Sequence, residues 1–108
     1  MAFDEALTER VRQALSKQPG VTERKMFGGI GFMVYGNMAC GIVKDELMVR
    51  VGAEQHRRLL GAPGIRLMDF TGRPMKGFLF AGAEALRGRG LSTWVKRGVK
   101  FAESLPPK

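Results

Sequence analysis

Apolar residues recur with two different periods along this chain, and each period predicts one type of secondary structure. Over residues 3–15 an apolar residue recurs every four positions, which places these side chains on one face of a helix. A period close to 3.6 returns over residues 91–105 and predicts a second long helix. A short polar segment at 54–60, ended by Gly61, predicts a helix of about two turns between them.

A period of two predicts the strands. Ile30, Phe32 and Val34 occupy every second position, as in a strand with one strongly apolar face. Gly36-Asn37 follows this run, and the dipeptide is typical of a two-residue hairpin turn. Tight turns join the first three strands, which must therefore form an antiparallel meander. Five strands are predicted in all, at 30–35, 38–44, 47–51, 65–70 and 77–81, with a loop at 71–76 and one helical turn at 83–86.

The resulting order is helix-strand-strand-strand-helix-strand-strand-helix, in one domain that spans residues 1–108. Helices at both ends of a contiguous antiparallel sheet favour a two-layer α+β sandwich over a parallel βαβ fold. The helices would cover one face of the sheet. The other face would meet either water or a partner.

The predicted meander carries more large apolar side chains than one helix layer needs. An open apolar sheet face on so short a chain would form a homodimer surface. Methionine more commonly fills gaps in a core, so the sequence leaves both interpretations open. The side chains in question are Met26, Phe27, Met33, Tyr35, Met38 and Met48.

Composition predicts a compartment. The single cysteine, Cys40, excludes an intrachain disulfide, as is usual in a reducing compartment. The N-terminus lacks the basic start and apolar run of a secretory signal, and no apolar stretch approaches the ~20 residues that span a bilayer. We therefore expect a cytoplasmic protein without membrane contact.

Positive charge is concentrated in the C-terminal half of the chain. Residues 1–54 carry seven basic and seven acidic side chains, whereas residues 55–108 carry eleven basic and three acidic ones. This asymmetry either keeps the chain soluble or forms a basic face that binds nucleic acid weakly and without sequence preference. Lys96 and Lys100, with Arg97 alongside, share one face of the last predicted helix. The candidates for anion or nucleic-acid contact are Arg57, Arg58, Arg73, Lys76, Arg89, Lys96, Arg97 and Lys100.

The remaining residues assemble no catalytic group, metal site or cofactor site. The glycine-rich segment at 28–31 leads into a strand and not into a helix N-terminus, so it is not a phosphate-binding loop. Cys40 and His56 are the remaining candidates for a nucleophilic pair, but Cys40 lies in mid-strand beside apolar residues, which favours a buried structural thiol. One cysteine and one histidine are also too few for zinc. We therefore expect a protein that is not an enzyme.

Four segments taken together resemble the TfoX N-terminal domain family. They read RKMFGG at 24–29, LMVRVG at 47–52, GRPMKG at 72–77 and FAESLP at 101–106. The resemblance implies a two-layer α+β domain with a central antiparallel sheet. The family takes its name from a bacterial regulator of competence for DNA uptake, in which a C-terminal domain follows. This chain stops at Lys108, so we expect a single-domain member that lacks it.

The family supplies no catalytic residues. Its first segment marks either a shared binding surface or the bends of a shared fold, and we favour the fold. The leading hypothesis is a small regulatory module that acts through contacts with a protein partner, which the sequence does not identify. The alternative is an accessory nucleic-acid binder that uses the basic C-terminal half. The residues of that first segment are Arg24, Lys25, Met26, Phe27, Gly28 and Gly29.

Overall fold

The computed structural model describes residues 4–26, 28–70 and 73–107, and of these it describes residues 26, 67–70 and 73–76 by their backbone alone. Three helices and six strands follow one another in this part of the chain. They are α1 (Glu5–Ala14), β1 (Val21–Met26), β2 (Gly29–Val34), β3 (Asn37–Val43), β4 (Glu46–Arg50), α2 (Ala53–Leu60), β5 (Ile65–Phe70), β6 (Arg73–Ala81) and α3 (Gly90–Glu103).

The strands form one sheet in the order β1-β2-β3-β4-β6-β5, and every neighbouring pair is antiparallel. Helix α3 lies against β2, β3 and β4, α1 packs on α3, and α2 packs on β5 and β6. All three helices contribute to one hydrophobic core with the same face of the sheet. The predicted two-layer α+β sandwich is therefore confirmed.

The core lies between the helices and this inner face of the sheet. The strands place every second side chain there, and those of Phe32, Leu47 and Leu79 are fully buried. Helices α1 and α3 contribute Val11 and Val95, which are buried to the same degree. This alternation follows directly from the two-residue period of the strands.

Helix α3 lies very close to β3 because Gly98 has no side chain. A Cβ atom at this position would be 2.2 Å from the carbonyl oxygen of Ala39, a backbone atom that cannot move aside. Gly98 therefore sets how deeply α3 sits on the sheet, and with it the position of every side chain on the outer surface of that helix.

A second, smaller apolar cluster lies on the opposite side of the sheet. Met48 and Phe80 form its centre, and Met38, Val43 and Phe78 are half-buried around them. We call this cluster the far face. Within the described residues no helix contributes a side chain to it, although Met48 and Phe80 are only 1% and 4% exposed.

The far face accounts for part of the large apolar side chains that the meander has beyond the need of one helix layer, since it includes Met38 and Met48. Met33 is buried as well, and Tyr35 is 44% exposed at the end of a hairpin. Phe27 and the side chain of Met26 lie outside the described residues. Much of the methionine in the meander thus packs within the chain itself.

One strand, β1, was not predicted from the sequence. Residues 22–25 of this strand are polar and exposed, so no apolar alternation marks it. It nevertheless pairs with β2 along its whole length through the main chain. A charged and exposed strand of this kind suits the edge of a sheet, because it discourages pairing with another molecule.

The first predicted hairpin turn lies one residue earlier than expected. Its two central residues are Tyr35 and Gly36, both with left-handed φ angles, of 50° and 84°. Two such residues are what a turn with the twist of a hairpin needs. Asn37 instead begins β3, and its side-chain amide donates a hydrogen bond to the carbonyl oxygen of Pro106 at 2.9 Å.

Other boundaries shift by a few residues. Helix α1 begins after Asp4, whose side chain accepts a hydrogen bond from the backbone N–H of Leu7 at 3.0 Å and so caps the helix. Strand β6 begins at Arg73, inside the segment 71–76 that was predicted to be a loop. Residues 71 and 72 lie outside the described part of the chain.

Candidate binding groove

A groove opens between α2 and the C-terminal half of α3, on the helical side of the molecule. Its volume is about 390 Å³, which is at the lower end of the range for ligand sites in proteins. The two helices line it with side chains spaced three or four residues apart, because such residues share one face of a helix. We call this the α2–α3 groove.

Three cations line the α2–α3 groove. Arg58 comes from the last turn of α2, and Arg97 and Lys100 come from successive turns of α3. All three are exposed to solvent. No carboxylate among the described residues forms an ion pair with any of them, and no acidic residue lines the groove.

Arginines elsewhere on the surface do have acidic partners. Arg12 donates two hydrogen bonds of 2.8 Å to the carboxylate of Glu23. These bonds tie α1 to the edge strand β1 and lower the pKa of Glu23. In the described part of the chain, the cations of the α2–α3 groove therefore lack the carboxylate partner that Arg12 has.

One cation of the groove is held in place by an aromatic ring. The guanidinium carbon of Arg97 lies 4.4 Å from the ring centroid of Trp94, one turn earlier on α3. Trp94 is itself buried in the core, with 5% of its surface exposed. A stacked guanidinium loses less conformational freedom when it binds an anion, because its plane is already fixed.

The floor of the groove is apolar. Val51 is buried there, and Leu59 and Phe101 are half-buried. The ring of Phe101 lies against the backbone of Gly52, where a Cβ atom would be 2.4 Å from the ring carbon Cε1. The floor therefore depends on a glycine at the position that begins α2.

Polar groups complete the rim. Gln55 lies one turn before Arg58 on α2, and both are exposed. Ser104 lies on the opposite side, and its hydroxyl donates a hydrogen bond of 2.5 Å to the carbonyl oxygen of Phe101. Cations, an apolar floor and a neutral rim are thus all present within one groove.

The structure brings some of the predicted basic residues together and separates others. Arg58, Arg97 and Lys100 meet at the α2–α3 groove. Arg57 and Lys96 are exposed on the same two helices but do not line it. Arg89 is exposed in the turn before α3.

Two of the predicted basic residues lie on β6. Arg73 and Lys76 belong to this strand, and their side chains lie outside the description.

The segment at 24–29 that carries part of the family resemblance lies at one end of the β1–β2 hairpin. Arg24 and Lys25 are exposed on the edge strand, and Gly28 follows with a left-handed φ of 72°. A Cβ atom at Gly29 would lie 1.9 Å from the carbonyl oxygen of Ile42. Both glycines thus have a geometry that a bend and a close approach of strands require.

Cys40 and His56 occupy very different surroundings. Cys40 is fully buried in the core, and burial raises the pKa of its thiol to about 12. Reactive cysteines need the opposite shift, because the thiolate is the nucleophile. His56 is half-buried on α2, and within the described residues its Nε2 atom has no hydrogen-bond partner.

The uncharged residues of the groove were not predicted from the sequence. The helical period grouped Lys96 with Lys100, whereas the row that lines the groove runs from Arg97 through Lys100 and Phe101 to Ser104. This row has the spacing of three and four that predicts one helix face. The α2 residues of the groove have the same spacing, and Arg58 was predicted, but the helix is short and the neighbour it faces cannot be read from the sequence.

Comparison with known families decides the classification. The sequence profile of the TfoX N-terminal domain family matches residues 13–102. This chain belongs to that family. No curated protein and no solved structure matches the chain.

Two parts of this TfoX N-terminal domain that carry the family resemblance also build the groove. Val51 comes from the segment at 47–52 and Phe101 from the segment at 101–106.

Among the described residues, no helix has the length and apolar character needed to cross a membrane.

Proposed function

We propose that this TfoX N-terminal domain is a non-catalytic regulatory module that acts by binding a protein partner. The observation that carries the proposal is the α2–α3 groove, where three cations that have no acidic partner among the described residues stand beside an apolar floor. Interfaces between proteins combine an apolar centre with a polar or charged rim in this way. The family to which the chain belongs is named for a regulator of competence, which agrees with a regulatory role.

The apolar floor favours a protein partner over nucleic acid. Binding to nucleic acid relies on many cations along the backbone and on exposed rings that stack on bases. Trp94 is buried beneath Arg97, and Phe101 is half-buried in the floor. Nucleic-acid binding is the second candidate function, and what supports it is the exposure of Arg57, Arg89 and Lys96 outside the groove.

Photo-crosslinking in cells that naturally express the chain tests the proposal. The photoreactive residue p-benzoylphenylalanine is placed at Gln55 on the rim of the groove and, as a control, at Arg87 in the exposed turn before α3. Both side chains are exposed, so both replacements leave the core intact. We expect one discrete protein adduct from position 55 and none from position 87.

Other results would contradict the proposal. The same adducts from both positions would show contact without a specific surface. Adducts with nucleic acid at position 55 would support the second candidate function instead. Absence of any adduct from position 55 would mean that the groove meets no partner in the cell.

Self-association through the far face is a further part of the proposal. It is supported by the lack of any described helix over that face and by the half-buried side chains of Met38, Val43 and Phe78. Sedimentation of the wild type at micromolar concentration should show a dimer, and Phe78→Glu should return it to the monomer. A wild-type monomer at these concentrations would remove this part of the proposal and leave the groove unaffected.

A further inference from the structure

We infer that the α2–α3 groove binds an acidic peptide segment, with carboxylates at Arg58, Arg97 and Lys100 and one apolar side chain on the floor. The inference rests on the proposed function and specifies the chemistry of the partner. The bound segment belongs to the partner protein and is short, because a groove of about 390 Å³ holds only a few side chains.

Charge is the first argument for an acidic occupant. Arg58 on α2 faces Arg97 and Lys100 on α3 across the groove, so cations from two different helices converge on one space. In the described part of the chain no carboxylate neutralises them. A bound carboxylate would relieve their mutual repulsion and would accept charge-assisted hydrogen bonds, which are stronger than those between neutral groups.

Preorganisation is the second argument. Arg97 is stacked on Trp94 with 4.4 Å between the guanidinium carbon and the ring centroid. Gly98, the next residue, seats α3 directly on the backbone of β3. Arg97 is therefore carried by a part of α3 that packs directly on the sheet, and its side chain loses little conformational freedom when a ligand binds.

The apolar floor is the third argument, and it separates a peptide from a simple anion. Leu59 and Phe101 are half-buried and line the same groove as the cations. An inorganic anion would leave this surface exposed to water. A leucine or phenylalanine side chain flanked by acidic residues would cover it and gain the free energy of apolar burial.

Fluorescence anisotropy with a defined probe tests the inference. The probe is a fluorescein-labelled peptide of sequence EDELFEDE, and EDESSEDE is the control peptide without the apolar pair. Labelled oligothymidylate serves as the nucleic-acid probe. We expect saturable binding of EDELFEDE, binding of EDESSEDE that is weaker by about tenfold because the floor stays uncovered, and weaker binding of oligothymidylate.

Two double variants form a matched pair. Arg58→Ala/Lys100→Ala removes cations that line the groove, and Arg57→Ala/Lys96→Ala removes cations from the same two helices that do not line it. Both variants remove two positive charges from a chain of net charge +8. Arg57 and Arg58 also lie in the same last turn of α2, so the effect of the helix dipole is matched there.

The expected results differ between the two double variants. The groove variant should bind EDELFEDE at least about tenfold more weakly, because it loses two direct charge contacts. The off-groove variant should lose less than about threefold, through long-range charge alone. Circular dichroism and thermal unfolding should agree between the two variants, which excludes unfolding as the cause.

A third variant tests the site without removing a cation. Gln55→Glu is nearly isosteric and places a carboxylate on the rim, three residues from Arg58. Such a pair stabilises an exposed helix slightly, so folding should be preserved. The new carboxylate should compete with the peptide and weaken its binding by about threefold or more.

Several outcomes would overturn the inference. Equal losses in the two double variants would show that only net charge matters. Tighter binding of oligothymidylate than of EDELFEDE would identify nucleic acid as the ligand. Equal affinity for the two peptides would show that the floor plays no part.

Failure of the inference can be distinguished from failure of the proposed function. A specific protein adduct from position 55 without binding of EDELFEDE would leave the proposed function standing and reject an acidic segment. Binding of EDELFEDE without any adduct in cells would reject the proposed function and leave the preference of the groove for an acidic segment standing.

Discussion

The far face and the α2–α3 groove are both built from arginine beside aromatic or aliphatic side chains, yet they are completed differently. On the far face, Arg66 lies 4.5 Å above the ring of Phe80 and forms an ion pair with Glu46. Arg50, the last residue of β4, lies 5.7 Å from the ring of Phe78 and 5.2 Å from the ring of Phe101, so it reaches both surfaces. In the groove, Arg58 and Lys100 have neither a ring contact nor an ion pair within the described residues.

This difference separates cations that contribute to folding from cations that are available to a ligand. A cation whose charge and flat face already have partners in the chain gains little from a ligand and would lose those partners. A cation without such partners offers its whole interaction to an incoming acid. The comparison predicts that mutations on the far face change stability, whereas mutations at the rim of the groove change binding.

The largest expected effect is on the far face. Met48 is 1% exposed, and its methyl group lies over the backbone of Gly41. Met48→Ala should lower the free energy of unfolding by about 3 kcal/mol, from lost burial and a residual cavity. Urea unfolding measures this loss, and affinity for EDELFEDE should be unchanged below the unfolding transition. A loss under about 1 kcal/mol would mean that this cluster is loosely packed.

The next largest effect is expected at Gly98, where one substitution should change both the stability of the fold and the affinity of the groove for the peptide. Gly98→Ala should destabilise the protein by roughly 2 kcal/mol, because α3 must move away from the carbonyl of Ala39. The same movement should weaken peptide binding, since Arg97 and Lys100 move with the helix. Gly61→Ala is the matched control, because a Cβ atom at Gly61 meets nothing within 4 Å. Similar behaviour of the two variants in thermal unfolding would contradict the close contact.

The free energy of unfolding should fall at alkaline pH because of Cys40, which lies in the core between the sheet and the helices. Its thiol has a raised pKa of about 12 in the folded chain, against about 8.5 when unfolded. Above pH 8.5 the folded chain therefore binds more protons than the unfolded chain, and stability falls as pH rises. Between pH 8.5 and 9.5 we expect a loss of about 1 kcal/mol in the wild type that is absent in Cys40→Ala.

Urea unfolding at those two pH values checks the prediction for Cys40. The slope of stability against pH is compared between wild type and variant, so a constant difference in packing does not matter. Parallel slopes would show that solvent reaches the thiol in the folded chain.

The smallest expected effects are the changes in stability caused by replacing Arg66 on the far face and Arg58 in the groove. Arg66→Ala should cost about 1 kcal/mol or less, because the side chain is half exposed and its ion pair and ring contact are partly screened. Arg58→Ala should change stability by no more than about 0.5 kcal/mol. Thermal unfolding at low and high salt measures both. A larger loss for Arg58→Ala would mean that this residue has a structural role.

The sequence predicts this fold well because apolar side chains alternate along β2 on the inner face of the sheet. Ile30, Phe32 and Val34 carry that signal in β2, and the helices show the 3.6-residue period. Strand β1 escapes prediction because main-chain pairing holds it at the edge of the sheet. The turn at Tyr35-Gly36 is displaced by one residue because Asn37 is used for a contact with Pro106, far along the chain.

The groove is predicted less well, for a physical reason. Its cations were recognised as a basic set, and three of them converge on one place. Which face of α2 meets which face of α3 depends on tertiary contacts, above all the close approach at Gly98. A single sequence records the composition of such a surface but not the pairing of elements that creates it.

The hydrogen bond from Asn37 to Pro106 has a practical consequence for work with this protein. It anchors the tail two residues beyond Ser104, on the rim of the groove, so anything fused to that end starts beside the cations. An acidic epitope tag placed there would compete from within the molecule, at an effective concentration of roughly millimolar for a short flexible linker. A neutral tag at that position, or a tag removed before assay, would leave the groove open to external ligands.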